Sequence, residues 1–290
     1  MPPSVAANPR PASTVVVLRD TTRGPEVFLV RRSEGHAFMG GAYVFPGGRV
    51  DSADHAADAS WCDGLDHADR QLGSLPPAEA RAYHVAAARE LFEEAGVLLA
   101  RSADGRFVSL AGAEVHERFR AYRHDVHEAA ASLRSMLDRE RLRLALDALV
   151  LFAHWVTPPI DTRQFDTRFF LTRVPPEQSP AHDDTETTHS CWATPATAIR
   201  QAQSNEIVLP PPTWTTLREL ESFSNVDAAI AWGRERRIER RQPALVEQDG
   251  RRMLLLPGDP LFPGASVEPP PVETRFVLVD RGWRAERART

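Results

Sequence analysis

Arg89-Glu90-Leu91-Phe92-Glu93-Glu94-Ala95-Gly96-Val97 is the stretch from which the rest of the 290-residue chain is read. At 100° per residue, Glu90, Glu93 and Glu94 share a sector of roughly 100°, while Ala88, Leu91 and Ala95 centre about 160° away. One face reads as core and the other as carboxylate. Like charges at i, i+3 and i, i+4 weaken a helix by a few tenths of a kcal/mol per pair, so three of them call for an offset. A hard divalent cation provides one, because Mg²⁺ takes oxygen ligands and is held by one or two carboxylates plus substrate phosphates. An exposed acidic face with Arg89 paired to Glu93 at i+4 accounts for the same residues.

Around this segment the spacing predicts a long helix from Pro77 to Ala95, opened by prolines where helices tolerate them and closed by Gly96. Upstream, Thr14–Leu18 and Val27–Val30 flank a polar turn and read as adjacent antiparallel strands. Phe45-Pro46-Gly47-Gly48 follows, with two glycines where a backbone turns tightly or approaches a ligand. Residues 51–76 read as an inserted loop with at most short helical pieces. After Gly96 the expectations are a short strand over Val97–Ala100, a helical insertion over 112–147, and strands at Leu149–Val156 and Arg168–Leu171. Helices over roughly 214–237 and strands near Met253–Leu256 and Phe276–Val279 complete the chain. Residues 1–12 carry four prolines without apolar periodicity and read as a loose leader, with order beginning near Ser13.

Taken together, these residues resemble the Nudix box: a glycine, five residues, a glutamate, seven residues, then Arg-Glu, an aliphatic, any residue, Glu-Glu, any residue and Gly. Arg89, Glu90, Glu93, Glu94 and Gly96 match its second half residue for residue. The first half departs from it, because residues 49–88 separate Gly48 from Arg89, 27 more than in the compact form. The early glutamate is displaced as well: eight before Arg89 stands Arg81, and the nearest acid is Glu79. This interruption is similar to that of the peroxisomal-type acyl-CoA diphosphatases and their bacterial relatives. Arg32-Ser33, Phe38–Phe45, Val50–Asp54, Trp155–Pro158, Arg168–Leu171, Glu206–Pro212 and Leu256–Asp259 resemble the same branch.

The resemblance implies an α/β (α+β) Nudix fold, a mixed curved β-sheet between helices, spanning 13–290 with insertions at about 51–76 and 112–147 and a C-terminal extension from about 214. It implies hydrolysis of a phosphoanhydride, foremost CoA or acyl-CoA to 3′,5′-ADP and a phosphopantetheine product. NADH, ADP-ribose or a capped nucleotide are alternative substrates, and a non-catalytic ligand-sensing module is the alternative of a different class. Glu90, Glu93 and Glu94 would hold Mg²⁺ or Mn²⁺, with the Gly48 carbonyl a further ligand. Arg89 would orient the glutamates. Glu186 is the loop candidate for general base, with Asp183 and Asp184 behind it. Arg31, Arg32, Gly47 and Phe38 are the candidate substrate contacts, the arginines through bidentate bonds to phosphate.

Composition bounds these readings. All 35 basic residues are arginine, which removes Schiff-base chemistry and the P-loop lysine. A net charge of −5 gives no cationic field for nucleic acid. Cys62 and Cys191 have neither metal-ligand spacing nor a disulfide framework. No signal peptide or membrane span is expected, and Glu286–Thr290 differs from a Ser-Lys-Leu signal, so the expected compartment is the cytoplasm. His154, His182 and His189 match no zinc spacing and are read as structural.

Overall fold

The computed structural model describes residues 8–35, 40–129, 132–159, 164–183, 185–265, 271–279 and 282–287. In chain order its strands are β1 Arg10–Thr21, β2 Gly24–Arg32, β3 Tyr43–Val44, β4 Gly47–Arg49, β5 Cys62–Asp63, β6 Ala100–Arg101, β7 Arg143–Ala145, β8 Val150–Val156, β9 Phe165–Arg173, β10 Thr187–Ala193, β11 Arg240–Arg241, β12 Ala244–Gln248, β13 Arg251–Leu255, β14 Arg275–Val279 and β15 Gly282–Glu286. The helices are α1 Leu65–Gln71, α2 Pro77–Ala95, α3 Ala113–His127, α4 Leu133–Glu140, α5 Pro195–Gln203, α6 Pro211–Leu220 and α7 Val226–Glu235.

The main sheet runs β10-β2-β1-β9-β8-β11, with β3 on β2 and β4 on β1. It is mixed: β1 pairs in parallel with β9, whereas β1–β2 and β8–β9 are antiparallel. Val15, Val16, Val17 and Leu18 are all fully buried, as a central strand covered on both faces requires. Val15 and Val17 pack on one side with Leu91 and Phe92 of α2; Val16 and Leu18 pack on the other with Leu217 of α6, Ala229 of α7 and Phe276 of β14. The sheet therefore lies between two helical layers, and the small sheet β12-β13-β14-β15 folds back onto the second core.

α2 occupies the range read from sequence. Pro77 sits at its first turn, and Gly96 ends it at φ 66°, its N–H bonded to the Phe92 carbonyl at 2.9 Å. The buried Ser13 hydroxyl donates to the Tyr83 carbonyl at 2.7 Å and ties the helix to β1.

Several expectations are corrected. Order begins by Arg10 rather than Ser13, because Arg10 to Ala12 pair with Phe165 to Thr167 of β9, a partner far away in sequence. Val97 to Leu99 are not strand. The Gln178 side chain replaces a neighbouring strand there, accepting from the Leu98 N–H at 2.9 Å and donating to its carbonyl at 3.0 Å. The 112–147 segment is helical only to Glu140; β7 then joins β5 and β6 in a three-stranded sheet. The 51–76 segment is a 3₁₀ turn at Ser52–Ala56, β5 and α1.

His84 of α2 is fully buried, with Nδ1 2.8 Å from the Ala80 carbonyl and Nε2 without a partner among the described residues. Burial pushes its pKa from 6.5 down to about 4, so the folded state holds the neutral ring. The unfolded chain takes up a proton first, and stability that is complete above about pH 6.5 is lost as pH falls towards 4. Urea unfolding should show a loss of about 2 kcal/mol from this group between about pH 7 and pH 5, and His84→Leu should remove that component. An unaltered pH dependence in the variant contradicts the assignment.

Candidate active site

The C-terminal half of α2 lies against β4 and the 3₁₀ turn. The two glycines of β4 are crowded from different sides, Gly47 by the backbone of β1 and Gly48 by the Glu90 carboxylate. A Cβ at Gly47 would stand 2.3 Å from the Ser13 carbonyl oxygen, and one at Gly48 would stand 2.4 Å from Glu90 Oε1. The Gly47 N–H donates to Glu94 Oε2 at 2.8 Å.

Arg89 joins these parts. It donates to Glu90 Oε1 (2.9 Å), Glu93 Oε1 (3.2 Å), both oxygens of Asp54 (3.1 and 3.0 Å) and the Arg49 carbonyl (2.8 Å). Asp54, buried in the 3₁₀ turn, is the functional residue that sequence reasoning missed. The box-like pattern lacked its early acid, and Arg89 needs a second partner once buried. Neither Arg81 nor Glu79 supplies it: Arg81 pairs with Asp69 at 2.6 Å, and Glu79 stands in the first turn of α2. Asp54 does so from 35 residues upstream.

The carboxylate face is not exposed. Glu93 and Glu94 are 8% and 7% accessible. Burial raises all three glutamates. Glu90 reaches about 7, through desolvation opposed by Arg89 and reinforced by Glu93 and Glu186. Glu94 rises well above the usual carboxylate range through burial and the Glu90 charge, against the pull of Arg32 and the Gly47 N–H. Glu93 rises through burial, with Arg89 opposing. Among the described residues no three acidic, His or Cys side chains are gathered into a preformed metal cage. Arg89 holds one oxygen of Glu90 and one of Glu93, and Gly47 holds one of Glu94. The donor set is hard oxygen in a site that disfavours its own negative charge, which fits a divalent cation.

The carboxylates open into a cleft of about 1110 Å³. It brings together Glu90, Glu93, Glu94, Arg89, Gly47, Gly48 and two residues from other elements, Arg32 and Glu186. Glu186 is exposed just before β10, and its carbonyl accepts from the Ser33 N–H at 2.9 Å. Phe45, Trp155, Phe169, Leu254 and Trp283 add apolar surface to the same lining. Arg31 does not line the cleft; its guanidinium pairs with Glu34 at 2.5 Å. Phe38 and Asp184 lie outside the described residues. Asp183 is engaged by Thr185 and Thr187 and held below the usual carboxylate range. The histidines read as structural have local partners, His154 with Asp166 at 2.8 Å and His189 with the Tyr43 hydroxyl at 3.2 Å.

Residues 64–220, more than half of the chain, match the family model described as the NUDT19 Nudix domain. The chain is 31% identical over 279 residues to the acyl-coenzyme A diphosphatase NUDT19 of Homo sapiens, covering 82% of this chain and 72% of that protein. It is 27% identical over 281 residues to the protein of that name in Xenopus laevis, covering 84% and 73%. Among solved structures, the NUDIX hydrolase from Alicyclobacillus acidocaldarius superposes with a TM-score of 0.63 at 26% identity, covering 78% of this chain and 96% of that one.

If Asp54 is the partner that allows Arg89 to be buried, Asp54→Ala should lower the unfolding free energy by about 3 kcal/mol. Asp54→Asn, which keeps an acceptor, should lose less than half of that. Equal losses from the two variants would show that packing, not the ion pair, is what Asp54 provides.

Proposed function

The chain belongs to the NUDT19 Nudix domain family and is a Nudix pyrophosphohydrolase, and from that premise we propose that it hydrolyses CoA or acyl-CoA to 3′,5′-ADP and (acyl-)phosphopantetheine with Mg²⁺ or Mn²⁺. The observation that carries this reading is the group of Glu90, Glu93 and Glu94 held at Arg89 and Gly47, lining one cleft together with apolar side chains. The carboxylates suit a cation-bound diphosphate, and the apolar lining suits a pantetheine arm and acyl chain. NUDT19 relatives are named for acyl-coenzyme A.

In this reading Glu90, Glu93 and Glu94 hold the cation, with the Gly48 carbonyl as a further ligand. The bound cation supplies neutralisation of the diphosphate and a more acidic water. Arg89 acts as a positioning residue: its bonds to Glu90 and Glu93 fix two carboxylates whose mutual repulsion would otherwise spread them. Glu94 is fixed separately by the Gly47 N–H. Glu186, just before β10, lines the cleft with Glu90 and Glu94 and takes the proton of the attacking water as general base. Arg32, the strand partner of Thr187, adds positive charge beside Glu94 and the diphosphate.

The accompanying domain reading is one Nudix unit that begins with β1 at Arg10 rather than at Ser13 and carries two insertions and a C-terminal extension. Cys62 and Cys191 are both free, which supports a reducing cytoplasm as its place of work. Among the described residues no helix is long and apolar enough to cross a membrane.

A mass-spectrometric screen of CoA, acetyl-CoA, a long-chain acyl-CoA, NADH and ADP-ribose tests the reading. Release of 3′,5′-ADP from the CoA species is expected, with activity lost in EDTA, restored by Mg²⁺ or Mn²⁺, and reduced by about two orders of magnitude or more in Glu93→Gln. Turnover of NADH or ADP-ribose with silence on CoA would discard the substrate and keep the chemistry. Trp283→Ala should raise KM for long-chain acyl-CoA more than for CoA; equal effects would remove the acyl chain from the apolar lining around Trp283.

A further inference from the structure

The floor of the cleft is one face of the main sheet, and the strand registers order it into rows. Gly47, Thr14 and Phe169 form the row beside the carboxylates. Arg49, Ala12, Thr167 and Trp155 form the next, and Arg10 and Phe165 the one beyond. Side chains two residues apart share a face and are spaced by about 7 Å along a strand, so Arg49 stands one such step from the diphosphate end and Arg10 about two.

Four arginines line this cleft: Arg10, Arg32, Arg49 and Arg89. Arg89 is committed to carboxylates, and Arg32 faces Glu94. Arg10 and Arg49 differ. Both side chains are exposed, and among the described residues neither guanidinium has an ion-pair or hydrogen-bond partner. Asp51, two residues beyond Arg49, leans its carboxylate towards Arg89 at 3.7 Å, and Asp166, one position beyond the strand partner of Arg10, is engaged by His154 and Arg168. Two unengaged forks therefore stand on the same face, one and about two such steps along the strands from the carboxylates. Their chemistry is that of a phosphate monoester site, since guanidinium bonds such an anion bidentately.

We propose that Arg10 and Arg49 form an anion subsite for the 3′-phosphate of coenzyme A, and that this subsite makes the enzyme prefer CoA-type substrates over nucleoside diphosphate derivatives that lack this group. The proposal rests on the CoA reading of the cleft. It moves the recognition of this phosphate from the Arg31–Arg32 pair to the sheet floor. Arg31 is turned away to Glu34, and the registers bring Arg10 and Arg49 to the floor from residues 39 apart in sequence.

Two measurements on the full chain test it and separate its failure from that of the CoA reading. In calorimetric binding with Mg²⁺ present, the parent should bind 3′,5′-ADP about tenfold or more tighter than 5′-AMP. That ratio should fall towards one in the Arg10→Gln/Arg49→Gln double variant and be partly kept in the Arg→Lys double variant. In kinetics, the ratio of kcat/KM for CoA to that for dephospho-CoA should collapse in the same Gln variant. A parent that binds both nucleotides equally, or a ratio unmoved by the substitutions, overturns the subsite even if CoA is hydrolysed. The expected binding ratios together with no hydrolysis of either CoA species would overturn the hydrolytic reading and leave the subsite standing.

Discussion

Five hydrogen bonds from one guanidinium hold the catalytic end of this protein together. Arg89 reaches Asp54, Glu90, Glu93 and the Arg49 carbonyl, and so fastens the 3₁₀ turn, the glycine strand and the long helix to one another. The constraint comes from burial. Three glutamates taken out of water repel one another and raise each other's proton affinity, and such a group persists only where a fixed positive charge answers it. Arg89 answers Glu90 and Glu93, while Glu94 relies on a backbone N–H and the more distant Arg32. The site is thus short of positive charge by design of the chain, and this deficit is what makes a hard cation its natural complement.

The insertions take their meaning from the same constraint. The residues that interrupt the glycine–helix spacing deliver Asp54, so the segment that lengthens the motif also replaces its missing acid. The helical insertion covers the far end of α2, and Arg123 of α3 donates through Nε to the Glu93 carbonyl at 2.7 Å. Burial of the carboxylate face, which an amphipathic reading leaves in solvent, follows from the close approach of β4 and the 3₁₀ turn. The C-terminal strands contribute to the same cleft, whose lining includes Leu254 of β13 and Trp283 of β15. Additions to the chain thereby supply part of the cleft wall beside the central sheet.

What could be read in advance divides along the line between local and distant causes. α2 was legible to the residue, since prolines and Gly96 are local stops, and the apolar runs of β1, β2, β8 and β9 announced themselves by composition. The pairing of Arg10 to Ala12 with β9 was not, nor was the replacement of a strand at Val97 to Leu99 by the Gln178 amide, because both partners lie far along the chain. β10 escaped notice for another reason: Thr187 to Ala193 is a polar edge strand, and the reading around Glu186 saw only an acidic loop. In the site, the carboxylates, Arg89 and both glycines were legible from a local pattern. Asp54, Arg10 and Arg49 enter through the turn and the strand registers, which no local pattern records.

The central claim is that the buried glutamates are a cation site whose affinity is drawn from their mutual repulsion. The most direct measurement is calorimetric titration of the apo protein with Mn²⁺ in two buffers of different ionisation enthalpy near pH 7. The account predicts binding that releases protons, because burial raises the proton affinity of Glu90 and Glu94 and the cation displaces what they hold, and it predicts loss of both the binding and the proton release in Glu94→Gln. Binding without proton release, or binding undiminished in that variant, would place the metal elsewhere and contradict the account.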